Sequence, residues 1–230
     1  MFYIKSLNVS YGESEVINSL DLELKKGEIL AVMGRNGMGK TTLFKSLIGI
    51  LGCGSGSSIK IDDTELVSEP SFQRVRKGLA YVPQGRMIFP NMTVTDNIRT
   101  GLDSSEEKEV PDYVYELFPV LKEMGKRKGG NLSGGQQQQL AIARALVTKP
   151  KVLLLDEPTE GIQPSIIKEM AEKLKTIRDM HDVSIIVAEQ VLSFALTACD
   201  RFLVMEGGAI VHSSDRSEVD ADKIKSFLSV

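Results

Sequence analysis

The sequence predicts an α/β protein with a mostly parallel sheet, an N-terminal antiparallel β subdomain and an inserted helical subdomain. Short, nearly continuous apolar runs such as "EILAVM", "KVLLLDEP" and "VSIIVAEQ" are typical of strands buried on both faces. Segments with helical periodicity separate these runs, and this alternation favours a parallel sheet covered by helices. The N-terminal segment instead alternates apolar and polar residues, which indicates an antiparallel patch.

The first third of the chain contains five predicted strands and one helix. Alternation predicts strands in "FYIKSLNVSY" and "VINSLDLELKKGE", the second ending at a Lys26–Gly27 turn. "EILAVM" is a buried strand, and "KTTLFKSLIGIL" has the helical spacing Leu43, Leu47 and Ile50. After the flexible connector "GCGSGS" come the strand "SIKIDD" and the strand "GLAYVPQ", which Pro83 stops.

The middle of the chain changes to helical periodicity. "VTDNIRTGL" and "DYVYELFPVLKEMG" are predicted helices separated by the polar "DSSEEKE", and "SGGQQQQLAIARALVTKP" is a helix that ends at Pro150. We therefore predict a single domain in which residues 1–85 and 147–230 form the α/β core with its antiparallel β subdomain. Residues 86–146 form the inserted helical subdomain.

The last third returns to alternating strands and helices. "KVLLLDEP" is the most apolar predicted strand, and "PSIIKEMAEKLKTIRDMH" is an amphipathic helix with Pro164 near its first turn. "VSIIVAEQ" is a second buried strand, "VLSFALTACD" a helix and "RFLVMEGGAIVHSS" a hairpin.

Composition narrows the class of protein. The 230 residues are 42% hydrophobic and 26% charged, which is typical of a soluble globular chain, and the net charge of −3 argues against a general nucleic-acid surface. Cys53 and Cys199 lack metal or redox spacing, so we expect two free thiols in a reducing compartment. We expect neither a secretory signal nor a membrane span, so any work at a membrane would require docking to another protein.

The stretch "GRNGMGKTTL" predicts a phosphate-binding loop. Gly34, four further residues and then Gly39-Lys40-Thr41 allow backbone amides to converge on phosphate oxygens at a helix start. Lys40 would reach the β- and γ-phosphates, the Thr41 hydroxyl would bind Mg²⁺, and Thr42 would contact an inner phosphate. The alternative is a glycine-rich turn without a ligand, but the preceding strand and following helix favour the loop.

Two acids at the end of a buried strand extend this prediction. Asp156 and Glu157 follow four consecutive apolar residues, Val152–Leu155, at the strand edge where ligands bind in open α/β sheets. Asp156 would hold Mg²⁺, and Glu157 would orient or deprotonate an attacking water. Two solvated acids in a turn are the alternative. The loop alone fits a kinase, a GTPase or an ATPase, but no Asn-Lys-x-Asp sequence supports a GTPase.

The stretch "NLSGGQQQQLAIARAL" closely resembles the signature of the ATP-binding-cassette (ABC) ATPases. Ser133 offers a hydroxyl, Gly134 and Gly135 expose amides at a helix start, and Gln136 completes the motif. In this family the signature caps the nucleotide held by the other subunit. The resemblance therefore implies a P-loop ABC ATPase fold and two ATP molecules, each with Mg²⁺, between paired subunits.

The resemblance also assigns the remaining site residues. Tyr11 matches the aromatic residue that stacks on adenine, with Val16 lining the same ring, and Gln84 matches the glutamine that reaches Mg²⁺ and the attacking water. Gln190 stands where most members have the histidine that senses the γ-phosphate. The implied nucleotide contacts in the loop are Gly34, Arg35, Asn36, Gly37, Met38, Gly39, Lys40, Thr41 and Thr42.

Two positions depart from the common family pattern. Residues 160–163 read Glu-Gly-Ile-Gln where most members read Ser-Ala-Leu-Asp, and Gln190 replaces the histidine. A glutamine amide can bond a γ-phosphate but cannot become cationic or relay protons, so Glu157 is the main candidate base. A structural, chemically neutral Gln190 is the alternative.

These departures resemble the branch that serves uptake of branched-chain amino acids and of urea or amides. "TEGIQPS" is more similar to the urea-transport ATPase, so a urea importer is the main expectation and branched-chain amino-acid import the alternative. The resemblance implies membrane permease subunits, a sister or identical ATPase subunit and, indirectly, a solute-binding protein, at the cytoplasmic face of the membrane. Met87–Pro90 is the expected docking surface or, equally, local core. A soluble non-transport ABC ATPase and a P-loop kinase are the further alternatives.

Overall fold

The computed structural model describes residues 1–105 and 107–228, so that only part of the predicted "DSSEEKE" connector is described. The strands are β1 (Phe2–Tyr11), β2 (Ser14–Leu24), β3 (Ile29–Met33), β4 (Ser58–Ile61), β5 (Thr64–Glu65), β6 (Leu79–Val82), β7 (Val152–Asp156), β8 (Ser184–Glu189), β9 (Arg201–Glu206) and β10 (Ala209–Asp215). The helices are α1 (Lys40–Leu47), α2 (Ser71–Arg76), α3 (Val94–Arg99), α4 (Asp112–Leu117), α5 (Pro119–Glu123), α6 (Gly134–Leu146), α7 (Pro164–His181), α8 (Leu192–Ala198) and α9 (Ala221–Leu228).

The strands form two sheets, which confirms the predicted fold class. A six-stranded sheet has the order β10-β9-β3-β8-β7-β6, in which only the β10–β9 pair is antiparallel. A four-stranded antiparallel sheet has the order β2-β1-β4-β5. The antiparallel patch expected at the N-terminal end is therefore a separate sheet.

Apolar side chains cover both faces of the six-stranded sheet. In β3, Ala31 faces a cluster built with helices α3 to α9, whereas Val32 faces a cluster built with α1 and the antiparallel sheet. Every residue of β3 and β7 is buried, which explains their unbroken apolar runs. Residues 94–147 contribute side chains such as Leu140 to the first cluster, so the predicted helical subdomain shares its core with the sheet.

Several helix predictions were wrong in detail. Helix α1 ends at Leu47, and Ile50 beyond it is 59% exposed rather than on the buried face, because Gly49 turns the chain with φ +84°. The predicted helix "DYVYELFPVLKEMG" is two helices, α4 and α5. Pro119 has no N–H to continue α4, and it restricts Phe118 before it to a non-helical conformation.

The sheet order places three loops at one edge. Strands β3, β8 and β7 are parallel neighbours, so the loops that follow their carboxyl ends begin side by side. These loops begin at Gly34, Gln190 and Glu157 respectively. In the described part of the chain, no helix combines the length and the apolar character that crossing a membrane requires.

Candidate active site

The loop between β3 and α1 is shaped to hold an anion. Gly37 and Gly39 have φ of +82° and +100°, a backbone region that favours glycine. The buried Lys40 donates hydrogen bonds to the carbonyl oxygens of Gly34 (2.7 Å) and Arg35 (3.0 Å). The first amides of α1 have no acceptors within the helix, and its positive dipole end points to the same place. These groups fit the phosphates of a nucleotide.

The turn of the β9–β10 hairpin supports this loop from behind. A Cβ on Gly34 would lie 2.5 Å from the Met205 carbonyl oxygen, so only glycine permits this approach. The Gly208 amide donates to the Met38 carbonyl at 3.2 Å, and Gly208 also packs against Val16. One cavity of about 280 Å³ results, lined by Val16, Asn36, Gly37, Gly39, Lys40, Thr41, Thr42, Gln84 and Glu157. It unites Val16, Gln84 and six of the nine predicted contacts in the loop with Glu157.

Tyr11 does not line this cavity. The side chain is 49% exposed at the end of β1, and it therefore has one open face. Its role in stacking on adenine remains a prediction.

Asp156 lies buried behind the loop and accepts two hydrogen bonds. The Thr41 hydroxyl donates to Oδ1 at 3.3 Å, and the Tyr81 hydroxyl donates to Oδ2 at 3.1 Å. Burial raises the pKa of Asp156, while these two bonds act in the opposite direction. Burial and the nearby Asp156 charge raise the pKa of Tyr81, so its hydroxyl stays protonated and able to donate. Sequence reasoning missed Tyr81, although its strand β6 pairs directly with β7.

The residues around Asp156 have the donor chemistry that Mg²⁺ prefers. The Thr41 hydroxyl, an Asp156 carboxylate oxygen and the amide oxygen of Gln84 are hard oxygen ligands. Among the described residues, no group of three or more histidine, cysteine or acidic side chains is placed to hold a metal ion. These donors fit Mg²⁺, which binds to proteins through a few side-chain oxygens and takes phosphate oxygens and water as its other ligands.

Glu157 is the point at which the predicted catalytic residues meet. Its Oε1 lies 3.4 Å from Lys40 Nζ and accepts a hydrogen bond from Gln190 Nε2 at 3.0 Å. Its Oε2 accepts from Gln84 Nε2 at 3.3 Å. Its backbone has φ +47°, an unfavourable region for this residue, and its amide donates to Ala188 at 2.9 Å. The sheet edge therefore holds this carboxylate in a strained but defined position.

Gln190 links this carboxylate to the phosphate loop. Its Nε2 donates both to Glu157 Oε1 and to Asn36 Oδ1, the latter at 2.8 Å. One neutral amide thus bridges the end of β7 and the loop after β3. It can donate a hydrogen bond to an anion at the mouth of the loop, but it cannot add a positive charge there.

The signature segment forms the start of α6, away from the phosphate loop. Ser133 Oγ accepts a hydrogen bond from the Gln136 amide (3.4 Å), and Gln136 Oε1 accepts from the Ser133 amide (3.0 Å), a reciprocal cap. A Cβ on Gly135 would lie 2.7 Å from Ile166 Cγ2 of α7. Ser133, Gly135 and Gln136 line a separate cavity of about 250 Å³ that shares no lining residue with the phosphate cavity.

The segment after Gln84 has an unusual backbone. Gly85, Arg86 and Met87 are consecutive left-handed residues with φ of +74°, +67° and +46°. The Arg86 guanidinium donates to the Glu160 carbonyl oxygen at 2.6 Å and to Gln137 Oε1 at 3.3 Å. Sequence reasoning missed this arginine, which connects the segment after β6 to the loop after β7 and to helix α6.

An apolar groove lies beside this segment. It has a volume of about 660 Å³ and is lined by Ile50, Tyr81, Pro83, Met87, Phe89, Arg144 and neighbouring residues. Met87 and Phe89 are 70% and 46% exposed, whereas Ile88 packs against the core. Of the two alternatives for Met87–Pro90, a surface with one core side chain fits these exposures best.

The arrangement can bind a phosphorylated ligand and activate water beside it. Lys40 and the loop amides stabilise negative charge on phosphate oxygens. Glu157 can accept a proton from a water molecule, and the amides of Gln84 and Gln190 orient its carboxylate.

Comparison with known proteins gives consistent results. The sequence profile of the family described as "ABC transporter" matches residues 17–160. The chain is 41% identical over 214 residues to the high-affinity branched-chain amino acid transport ATP-binding protein BraG of Pseudomonas aeruginosa, covering 92% of this chain and 91% of that protein. It is 36% identical over 216 residues to a probable branched-chain amino acid transport ATP-binding protein LivF of Archaeoglobus fulgidus, covering 93% and 91%.

Solved structures agree on the fold. CbiO1 from Clostridium perfringens, part of an ABC transporter complex, superposes with a TM-score of 0.83 at 27% identity, covering 97% of this chain and 92% of that one. A dimeric bacterial ABC transporter cassette superposes with a TM-score of 0.82 at 21% identity, covering 94% and 99%.

Proposed function

This chain belongs to the ABC transporter family, and on that basis we propose that it is the ATP-hydrolysing subunit of an importer for branched-chain amino acids. As a member of the family it is an ATPase that uses ATP with Mg²⁺. The names of two relatives, at 41% and 36% identity over more than nine-tenths of the chain, support the choice of solute.

The position of Glu157 is the observation that carries the catalytic part of the proposal. Its carboxylate lies beside Lys40 and accepts hydrogen bonds from Gln84 and Gln190. Lys40 and the loop amides hold the phosphates, and Glu157 takes a proton from the attacking water. Bound Mg²⁺ supplies neutralisation of phosphate charge. Gln190 donates to the terminal phosphate as an uncharged sensor, so proton acceptance falls to Glu157.

We further propose that two cassettes work as a pair, either two copies of this chain or this chain with a sister subunit. The support is that the phosphate loop and the start of α6 line separate cavities, although both are suited to phosphate. Within one chain the two cavities share no lining residue. A head-to-tail pair would bring Ser133, Gly134 and Gly135 of one subunit to the nucleotide held by the other.

The membrane connection of the proposal rests on the apolar groove. Met87 and Phe89 present exposed apolar side chains beside Gln84, so a helix of a permease subunit docked there would lie close to the hydrolysis site. We propose that the chain works on the inner face of the cell membrane in this way. A solute-binding protein would take part only through the permease.

Urea remains the second candidate solute because of residues 159–165, "TEGIQPS". This stretch follows Glu157-Pro158 and carries Arg86's carbonyl partner, Glu160, so it lies next to the site but not at a solute pathway. The stretch therefore favours urea through resemblance alone. The named relatives favour branched-chain amino acids.

Uptake measurements test the solute assignment. Cells lacking this gene, and the same cells carrying the wild-type chain or Lys40→Ala, would be compared for uptake of labelled leucine and labelled urea. We expect leucine uptake to be lost, restored by the wild type and not restored by Lys40→Ala. Loss of urea uptake with leucine uptake intact would establish the second candidate instead. Copurification of a membrane subunit separates either importer from a soluble ABC ATPase.

A further inference from the structure

A buried carboxylate stands directly before Gln190. Glu189 is the last residue of β8 and only 2% exposed. Its Oε2 accepts a hydrogen bond from the Thr159 hydroxyl at 2.7 Å. Its Oε1 accepts from two backbone amides, those of Gln190 at 2.8 Å and Val191 at 3.1 Å. Both oxygens of this acid are therefore engaged by donors.

Such an arrangement is stiff. An ionised carboxylate is costly to bury unless hydrogen bonds replace its water, and Glu189 has three donors around it. Hydrogen bonds to a charged acceptor are shorter and stronger than those between neutral groups. Movement of the Gln190–Val191 backbone would leave buried carboxylate lone pairs without donors, so this turn is held in place.

The turn matters because Gln190 lacks any charge to guide it. A glutamine side chain rotates about several bonds, and it reaches a defined place only when its backbone and partners are fixed. Its Nε2 lies 2.8 Å from Asn36 Oδ1 and 3.0 Å from Glu157 Oε1. Because Glu189 holds the backbone amide of Gln190, it fixes the position from which the Gln190 side chain extends to these two partners.

The other end of the link lies in the loop after β7. Thr159 is two residues beyond Glu157 and is 5% exposed. Glu157 itself donates its backbone amide to the carbonyl of Ala188, the residue before Glu189. Glu189 therefore ties together the two loops that carry the candidate base and the candidate sensor.

We propose that Glu189 is a positioning residue for ATP hydrolysis. It fixes the backbone amide of Gln190, and with it the point from which the Gln190 side-chain amide reaches Glu157, and it couples this turn to the Thr159 loop. The inference rests on the proposed role of Gln190 at the terminal phosphate. Glu189 acts through Gln190 and touches neither the nucleotide nor the attacking water.

Substitutions of Glu189 and Thr159 test the positioning role of Glu189 in the full chain assembled with its partner subunits. Glu189→Ala removes all three acceptor contacts and should lower kcat about tenfold while ATP affinity changes less than about twofold. Glu189→Gln should keep most of the turnover, because its amide oxygen accepts from both backbone amides and its NH₂ can donate to the Thr159 hydroxyl. Thr159→Val should lower kcat about threefold, and Thr159→Ser should restore it.

A double-mutant cycle separates positioning from a general structural role. In a Gln190→Ala background, Glu189→Ala or Thr159→Val should lower kcat by less than about twofold further, because the group they position is gone. Thr176→Val is the matched control, since the Thr176 hydroxyl donates to the Glu172 carbonyl on the outer face of α7, and it should leave kcat unchanged. If Glu189→Ala fails to fold, Glu189→Gln and Thr159→Val carry the test.

The outcomes distinguish the two hypotheses. If Gln190→Ala lowers turnover but the Glu189 and Thr159 effects multiply with it in full, the positioning role is overturned and the sensor role stands. If Gln190→Ala leaves turnover intact, the sensor role fails, and positioning through Gln190 fails with it. A loss of ATP affinity equal to the loss of kcat would also overturn the positioning role.

Discussion

At the scale of single residues, Lys40 connects the phosphate loop to the candidate base. It is buried, bonds two loop carbonyls and lies 3.4 Å from Glu157. Lys40→Ala should lower turnover at least about a hundredfold and weaken ATP binding, because a charge aimed at the phosphates is lost. Calorimetric titration with ATP and a phosphate-release assay measure both. Lys45→Ala is the control: Lys45 lies on the same helix but lines the apolar groove, so this variant should bind ATP normally. Normal turnover by Lys40→Ala would contradict the role of the phosphate loop.

Asp156 should show a conflict between stability and activity. Burial raises its pKa, so its ionised form destabilises the fold at pH values above the ordinary aspartate range. Asp156→Asn should therefore raise Tm at pH 7 by about 2–4 °C, the shift expected for about 1 kcal/mol in a chain of this size, and abolish turnover. The gap in Tm should narrow as pH falls through the raised pKa, because the wild-type carboxyl then becomes neutral.

Thermal unfolding at pH 7 and pH 5 measures this effect. The exposed Asp63→Asn is the matched control and should change Tm little at either pH. A lower Tm for Asp156→Asn at pH 7 would mean that the hydrogen bonds from Thr41 and Tyr81 outweigh the burial of the charge.

The sequence predicted which motif residues would meet, but not all of those that support them. Glycine spacing and acids after an apolar strand have direct chemical meaning, and the structure brings Lys40, Glu157 and Gln190 within contact. Tyr81 lies within the apolar strand β6 and Glu189 ends the apolar strand β8, and strand periodicity assigns neither residue a functional role. Their importance depends on which strands are neighbours, which a single sequence does not state.

At the scale of elements, buried strands were predicted well and short helices poorly. A strand buried on both faces has an unmistakable apolar run, as in β3, β7 and β8. Helices α2 and α9 have six and eight residues, too few for a clear period, and their positions are set by packing rather than local propensity. The split at Pro119 follows a rule of local chemistry that periodicity alone overlooked.

The contact between α6 and α7 leads to a prediction at this scale. Gly135→Ala would place a Cβ about 2.7 Å from Ile166 Cγ2, so the start of α6 must move away from α7. We expect a loss of about 1–3 kcal/mol in the free energy of unfolding, measured by urea denaturation without nucleotide.

A second substitution provides the control for this effect. Ile166→Ala removes the clashing branch, so Gly135→Ala combined with Ile166→Ala should cost less than the two single substitutions together. Additive losses would show that Gly135 matters for a reason other than this contact.

At the scale of the whole molecule, the phosphate loop and the start of α6 line two separate cavities, which we propose are both phosphate sites. If these sites complete each other between subunits, blocking hydrolysis should accumulate the closed pair. Glu157→Gln should bind ATP but hydrolyse it very slowly, and with ATP its apparent mass should double in size-exclusion chromatography with light scattering. The control Lys40→Ala in the Glu157→Gln background should stay monomeric with ATP. An unchanged mass for Glu157→Gln would contradict pairing of identical chains and leave a sister subunit as the partner to test.

The left-handed run Gly85–Met87 has a mechanical consequence. Arg86 and Met87 each have a left-handed backbone conformation that costs on the order of 1–3 kcal/mol in a residue other than glycine. A change at the exposed Met87 that lets these two residues leave the left-handed region would recover part of this cost, while the Arg86 hydrogen bonds to Glu160 and Gln137 oppose the change. Gln84 lies directly before Gly85 and donates a hydrogen bond to Glu157 Oε2, so a movement of this segment would be transmitted to the Glu157 carboxylate. A movement in the apolar groove would therefore reach the candidate base through only a few residues.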